Sequence, residues 1–244
     1  MNRRKFTQLS VLSAVAASLP ITSFASSQTI TTLELLGQGN PSLITGPDYK
    51  LRPQASQAFL QMQTAAKEDG ITLKVVSSYR NYAHQNRIWE RKFKRFRESG
   101  LSPTPSILKI IEYSTIPGTS RHHWGTDIDI IDGNPDVSGD VLVPSKFHGT
   151  GPFCAMKEWM DANANKYDFK LVYTDAPDRK GFKYEPWHYS YAPLSIPYLK
   201  AYRQLDIKAI LQEEKLIGSD SFNQEFMDQY INDNILDINP ALFG

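Results

Sequence analysis

Cysteine occurs once in 244 residues, at Cys154, so no disulfide can form within the chain and the fold depends on its core. An excess of one charge sign is also missing. The 27 lysines and arginines stand against 26 aspartates and glutamates, a formal net charge of +1, which gives no overall signal for nucleic acid. No apolar run is long enough to span a bilayer well; the nearest, Leu9 to Leu19, is short and rich in Ala and Ser, so no stable membrane anchor is expected. Internal repeats and low-complexity linkers are absent too, which argues against a repeat array or modules on a tether.

The N-terminus carries an export address. Asn2-Arg3-Arg4-Lys5-Phe6 is a charged start, Leu9 to Leu19 a weakly apolar stretch, and Ser23-Phe24-Ala25 places small residues where a signal peptidase reads. Residues 1–25 are therefore expected to be a signal peptide. The paired arginines before Lys5-Phe6 resemble a twin-arginine signal that sends a folded protein to the periplasm. Its removal takes away Arg3, Arg4 and Lys5 but no acid, leaving a near-neutral chain large enough for one core without disulfides.

Residues 26–54 read as an extended N-terminal segment punctuated by Gly37, Gly39, Pro41, Gly46, Pro47 and Pro53. Helical spacing is expected from Ala55 to Glu68 and from Tyr82 to Glu98, each closed by a glycine, with a strand from Ile71 to Ser77 between them. In Asp127-Ile128-Asp129-Ile130 the alternation is that of a strand, with two carboxylates on one face and two isoleucines on the other. A loop over 133–149 follows, then a helix from Phe153 to Asn165, a strand from Phe169 to Tyr173 and another carrying His188. Beyond Pro197 the pattern is helical, with a second, polar helical stretch from Ser221 to Asn234. One α+β domain is expected, with a core over 55–192 and a helical C-terminal extension over 193–244 packed on it.

Three separated segments carry the chemistry: Ser78-Tyr79-Arg80, then Ser120-Arg121-His122-His123-Trp124-Gly125-Thr126-Asp127-Ile128-Asp129, then Glu185-Pro186-Trp187-His188. Two histidines and an aspartate can hold a zinc ion and leave one position open for water, and a glutamate three residues before the last histidine can take that water's proton. His123 reads as a wall of the pocket, because a fourth protein ligand would close the position that catalysis needs. His84 and His148 read as ordinary surface or core histidines. Pro186 argues against a helical H-E-x-x-H arrangement. The basic run Arg91 to Arg97 invites a nucleic-acid reading, but Trp89, Phe93 and Phe96 recur at helical spacing, which makes the cations a solvated face.

These segments resemble the zinc D-alanyl-D-alanine carboxypeptidases of the vancomycin-resistance type, within the group that includes lysostaphin-like endopeptidases and the hedgehog signalling domain. The patterns are S-x-H-x-x-G-x-A-x-D, E-x-W-H and an upstream S-x-Y-R-[S/N]-x-x-x-Q. Ser120, His122, Gly125 and Asp129 match the first; Glu185, Trp187 and His188 the second; Ser77 or Ser78, Tyr79, Arg80, Asn81 and Gln85 the third. The resemblance implies a small, mainly antiparallel sheet carrying a zinc site, with flanking helices. It implies His122, Asp129 and His188 as zinc ligands, Glu185 as general base, and Arg80 at the scissile carbonyl. Ser120, Gln85, Tyr79 and Trp187 would contact substrate, which would be a peptidoglycan stem peptide losing its terminal D-alanine.

Asp127 departs from the pattern, which has a small residue there. It is expected to orient a ligand histidine such as His122, or else to reshape substrate choice or bridge a second cation. L,D-carboxypeptidase, D,D-dipeptidase and cross-link endopeptidase activities share these catalytic residues. A zinc-stabilised module that only binds wall peptides is the non-enzymatic rival, and Glu185, Arg80 and an open coordination position speak against it.

Overall fold

Leu73 and Val75 are buried while the alternating Lys74 and Val76 face solvent, the pattern of a sheet with one covered face. That strand lies in a computed structural model that describes residues 29–244. The expected signal peptide lies outside the described residues. In chain order the elements are helix α1 (Thr32–Leu35), strands β1 (Ile44–Thr45) and β2 (Lys50–Leu51), helix α2 (Pro53–Glu68), strand β3 (Leu73–Ser77), and helices α3 (Tyr82–Glu98) and α4 (Pro103–Ile110). Strand β4 (Asp127–Asp132), helix α5 (Cys154–Asn163), strands β5 (Phe169–Leu171) and β6 (His188–Tyr191), and helices α6 (Ala192–Tyr202), α7 (Ile207–Glu213) and α8 (Gln224–Tyr230) follow.

The main sheet has order β3-β4-β6-β5 and every pairing is antiparallel. Its central strand β4 is buried along all six residues, acids included. Ile128 and Ile130 face a core built with Phe59 and Met62 of α2 and Met156 and Met160 of α5. A second core joins Trp89 and Phe93 of α3 to Ile107 of α4 and to Tyr198, Tyr202, Leu211, Met227 and Tyr230 of α6, α7 and α8. The C-terminal helices pack on the rest of the chain through this second core.

Local chemistry explains most boundaries. Pro53 opens α2 in its first turn, two residues before the expected start, and Gly70 follows its end at φ 79°. The Asn81 side chain accepts from the His84 N–H at 2.9 Å and caps α3, whose Gln85, Trp89 and Phe93 form the buried stripe. The segment expected to be extended holds α1, capped by Thr31, and the β1–β2 hairpin. Helix α4 was not anticipated: eight residues with two prolines and two isoleucines give too little periodicity to read, and burial of Ile107 and Ile110 secures it. Helix α6 starts at Ala192, before Pro197, which sits inside it. The polar stretch after Ser221 is broken into α8 and a π turn over Ile231–Ile235. Among the described residues no helix is long and apolar enough to cross a membrane.

Candidate metal centre and its cleft

Strand register assembles half of the site. Antiparallel pairing of β4 with β6 sets Asp129 opposite His188 and Asp127 opposite Ser190. Because side chains alternate, those four share one face, while Ile128, Ile130 and Tyr189 enter the core on the other. His122 arrives from a 3-10 turn, Arg121–Trp124, that ends at Gly125 with φ 70°. A side chain at Gly125 would be strained there, and its Cβ would come within 2.8 Å of Leu43 Cδ2. The reversal lets the chain enter β4 with His122 Nε2 at 3.3 Å from Asp129 Oδ2.

The rings are held from behind. His122 Nδ1 lies 2.9 Å from the Ser78 carbonyl, which assigns it the proton and leaves Nε2 as the free lone pair. His188 Nε2 lies 3.0 Å from Asp127 Oδ2, while Nδ1 is 3.5 Å from Asp129 Oδ1 and 3.0 Å from Glu185 Oε2. Asp127 therefore orients His188 and not His122. The correction follows from register, since Asp127 is one pleat away from the residue paired with His188, whereas the turn carries His122 toward Ser78.

Burial and charge compete at each group. Burial alone would depress His188, but Asp129, Asp127 and Glu185 around it raise its pKa to about 10. Burial raises Asp127, yet Arg121 and His188 outweigh it and hold the carboxyl far below its usual range. Burial lowers His122, with Arg80 adding to the effect. Glu185 is pushed up by burial despite its bond to His188. Burial also lowers Arg80, opposed by Asp129 and Glu185.

His122, Asp129 and His188 are buried, and one ligand atom from each lies within 4.8 Å of the others. Asp129 Oδ1 is buried without a hydrogen-bond partner, an orphan acceptor that a cation would satisfy. Two imidazole nitrogens and a carboxylate oxygen with a cleft beyond them fit a divalent ion such as zinc.

The cleft has a volume of about 530 Å³ and is lined near the centre by Arg80, Ser120, Tyr173, Glu185 and Trp187. Glu185 sits in a tight turn in which the His188 N–H donates to the Glu185 carbonyl, so its side chain folds back onto its own histidine. Arg80 Nε and Ser120 Oγ are buried without partners. Trp187 is nearly covered by Phe147 and Tyr113 and serves mostly as wall. Two residues expected to touch substrate do not line the cleft. Gln85 is fully buried and donates to the Thr115 carbonyl at 2.9 Å, so it braces the wall segment Ser114–Thr115 from behind. Tyr79 is half-buried with Arg52 and Glu34 as its charged neighbours.

His123 is not in the ligand group. Its Nδ1 lies 2.6 Å from the Arg80 carbonyl and its Nε2 accepts the Gly118 N–H, a neutral ring tying two loops together. Gly37 makes room for it, since a Cβ there would meet His123 Nδ1 at 2.4 Å. Sequence reasoning missed Arg121 and Ser190, which donate to Asp127 Oδ2 and Oδ1 at 2.9 and 2.6 Å. Ser190 follows His188 by two, the spacing of a shared strand face, and could have been found once β6 was placed. Lys92, which the sequence places on a solvated helix face, lies on the cleft wall.

Comparison with known proteins places the chain among peptidases. A carboxypeptidase of Enterococcus faecalis named as acting on D-alanyl-D-alanine is 28% identical over 170 residues, covering 69% of this chain and 56% of that one. The chain thus spans little more than half of that relative's length. A bifunctional D-Ala-D-Ala dipeptidase and carboxypeptidase, VanXYC of Enterococcus gallinarum, is 30% identical over 164 residues, covering 64% of this chain and 77% of the other. Among solved structures, a mutant of the vancomycin-resistance D,D-pentapeptidase VanY from a VanB-type cassette, in complex with Zn(II), matches with a TM-score of 0.52 and 25% identity. That match covers 68% of this chain and 86% of that one. The family model for VanY, D-alanyl-D-alanine carboxypeptidase, matches residues 48–194, a stretch that holds all three metal-site residues, Glu185 and Arg80, and the chain belongs to that family.

Proposed function

We propose that the protein is a zinc carboxypeptidase that removes the terminal D-alanine from peptidoglycan stem peptides. The observation that carries the reading is the convergence of His122, Asp129 and His188 at the inner end of a cleft, with an orphan Asp129 oxygen and the Glu185 carboxylate against His188. His122, Asp129 and His188 would hold the ion. When bound, zinc supplies a Lewis acid that lowers the pKa of a water and polarises a carbonyl.

The chain's own groups do the rest. Glu185, whose pKa burial raises, takes a proton from the attacking water and hands it to the departing amine. Arg80 offers its guanidinium to the carbonyl oxygen as negative charge grows there; its Nε is buried without a partner, and the His123 bond to its carbonyl fixes the backbone from which the side chain reaches the cleft. Ser120 Oγ, buried without a partner, is available to the substrate's terminal end. Tyr173 and Trp187 exclude water from the inner cleft.

The test is mass spectrometry of defined pentapeptide and tetrapeptide muropeptides incubated with the zinc-loaded chain, with and without chelator. Chelator-sensitive loss of one alanine from the pentapeptide is expected. Loss from the tetrapeptide alone makes it an L,D-carboxypeptidase, release of a dipeptide a D,D-dipeptidase, and cleavage of cross-links only an endopeptidase. Zinc binding with no cleavage of any of these overturns the enzymatic reading in favour of a wall-peptide-binding module. Export to the periplasm through the paired arginines is part of the same proposal. Lysines in place of Arg3 and Arg4 are expected to hold the protein in the cytoplasm, and normal secretion of that variant refutes the twin-arginine route.

A further inference from the structure

Helix α3 presents a second stripe beside its buried one. Ile88, Lys92 and Arg95 recur at steps of four and three residues, and all three line the cleft that leads to the metal centre. Lys92 is only partly exposed, and among the described residues its ammonium has no hydrogen bond or ion pair. Its charged neighbours are Arg80, Glu185, Arg95 and Arg91, three cations and one acid, and that acid is engaged with His188. The other cleft acids do not compensate. Asp129 lies against His122 and His188, Glu112 is bound by Lys109 and Lys183, and Asp140 is not among the charged groups acting on Lys92. A partly desolvated cation without a counter-charge is costly to hold, and an incoming anion removes that cost.

Resting on the carboxypeptidase reading, we propose that Lys92, backed by Arg95, is a carboxylate anchor of the substrate cleft, separate from Arg80. The position that the family pattern offers for a second polar anchor, Gln85, is sealed into the wall two helical turns earlier, bonded to Thr115. Lys92 is seven residues further along the same helix, where the stripe turns into open cleft. Stem peptides carry carboxylates at their C-terminus and on acidic residues within the stem. Either places the same chemistry against the ammonium.

The experiment measures binding by calorimetry in the zinc-loaded Glu185→Gln background, so that turnover does not intervene, with and without Lys92→Met. Four probes are used: a pentapeptide stem with all carboxylates free, the same stem with its internal carboxylates amidated, D-alanine and D-alaninamide. Lys92→Met is expected to weaken the free stem about tenfold or more, the effect of losing a charge-assisted hydrogen bond. Lys92→Arg should recover most of it, and the melting temperature should not change. If the loss vanishes with the amidated stem, the internal carboxylate is the partner. If it persists there and D-alanine weakens while D-alaninamide does not, the terminal one is. Equal binding by both variants to every probe, or equal losses for carboxylate and amide forms of each probe, overturns the proposal. Turnover by the unmutated Glu185 enzyme separates the two levels. Cleavage of stems alongside an inert Lys92 leaves the carboxypeptidase reading standing, whereas absence of both cleavage and binding ends both.

Discussion

At the scale of single residues, Glu185 and Asp127 hold opposite flanks of His188. Glu185→Gln keeps the shape of the turn and removes only the ability to carry a proton. Zinc stoichiometry measured by metal analysis should stay at one while turnover falls about a hundredfold to ten-thousandfold, and a nearly active variant takes Glu185 out of the base role. Asp127 accepts from Arg121, Thr126 and Ser190 besides meeting His188 Nε2 at 3.0 Å. An asparagine there presents an amide N–H₂ to one of these donors, so the ring loses its orientation while the volume is kept. Asp127→Asn is expected to weaken zinc about 10- to 100-fold, read by competition with a chelator. Unchanged affinity means that Asp127 serves Arg121 alone.

At the scale of elements, the segment from Ser114 to Ser120 is a part of the cleft that no sheet holds. It is fastened from outside instead. The Tyr230 hydroxyl accepts the Ile116 N–H at 3.0 Å and meets Thr119 Oγ1 at 2.8 Å, Tyr202 donates to the Gly118 carbonyl, and Gln85 donates to that of Thr115. Tyr230→Phe leaves the buried Ile116 N–H without its partner, while Thr119 keeps its bond to the Ile116 carbonyl, and the loss costs about 1–3 kcal/mol. Thermal unfolding of the variant should show the lower melting temperature. The KM for a stem peptide should rise more than kcat falls if Ser120 loses its place, and an unaltered melting temperature contradicts the bracing.

At the scale of the whole molecule, the cleft lies where two cores meet, and the second core is completed by α6, α7 and α8. The family match stops at residue 194, three residues into α6. Cutting the chain there would bare Trp89, Phe93, Ile107 and Trp124 together, a patch too large for a soluble monomer. The truncated chain is expected to aggregate or to lose cooperative unfolding in calorimetry. A soluble, cooperatively melting fragment returns the C-terminal helices to the rank of an extension.

Much of the site was legible because its chemistry is written in local spacing. The period of two in Asp127 to Ile130 announced a strand with both carboxylates on one face, and Asn81 and the glycine after Ser99 bounded α3. Residue types alone offered two histidines, an aspartate and a nearby glutamate as a hydrolytic metal set. Pairings across the chain were not legible, since strand register and helix docking depend on what packs where. Asp127 meets His188 through the β4–β6 register, Gln85 turns into the wall because Thr115 lies behind it, and Lys92 faces the cleft because α4 and the C-terminal helices take the other sides of α3. The sequence by itself determined which groups could bind a metal and move a proton. Tertiary structure decided which of them meet, which are sealed away and which cation is left without a partner, because burial and distance set the charge balance of a site.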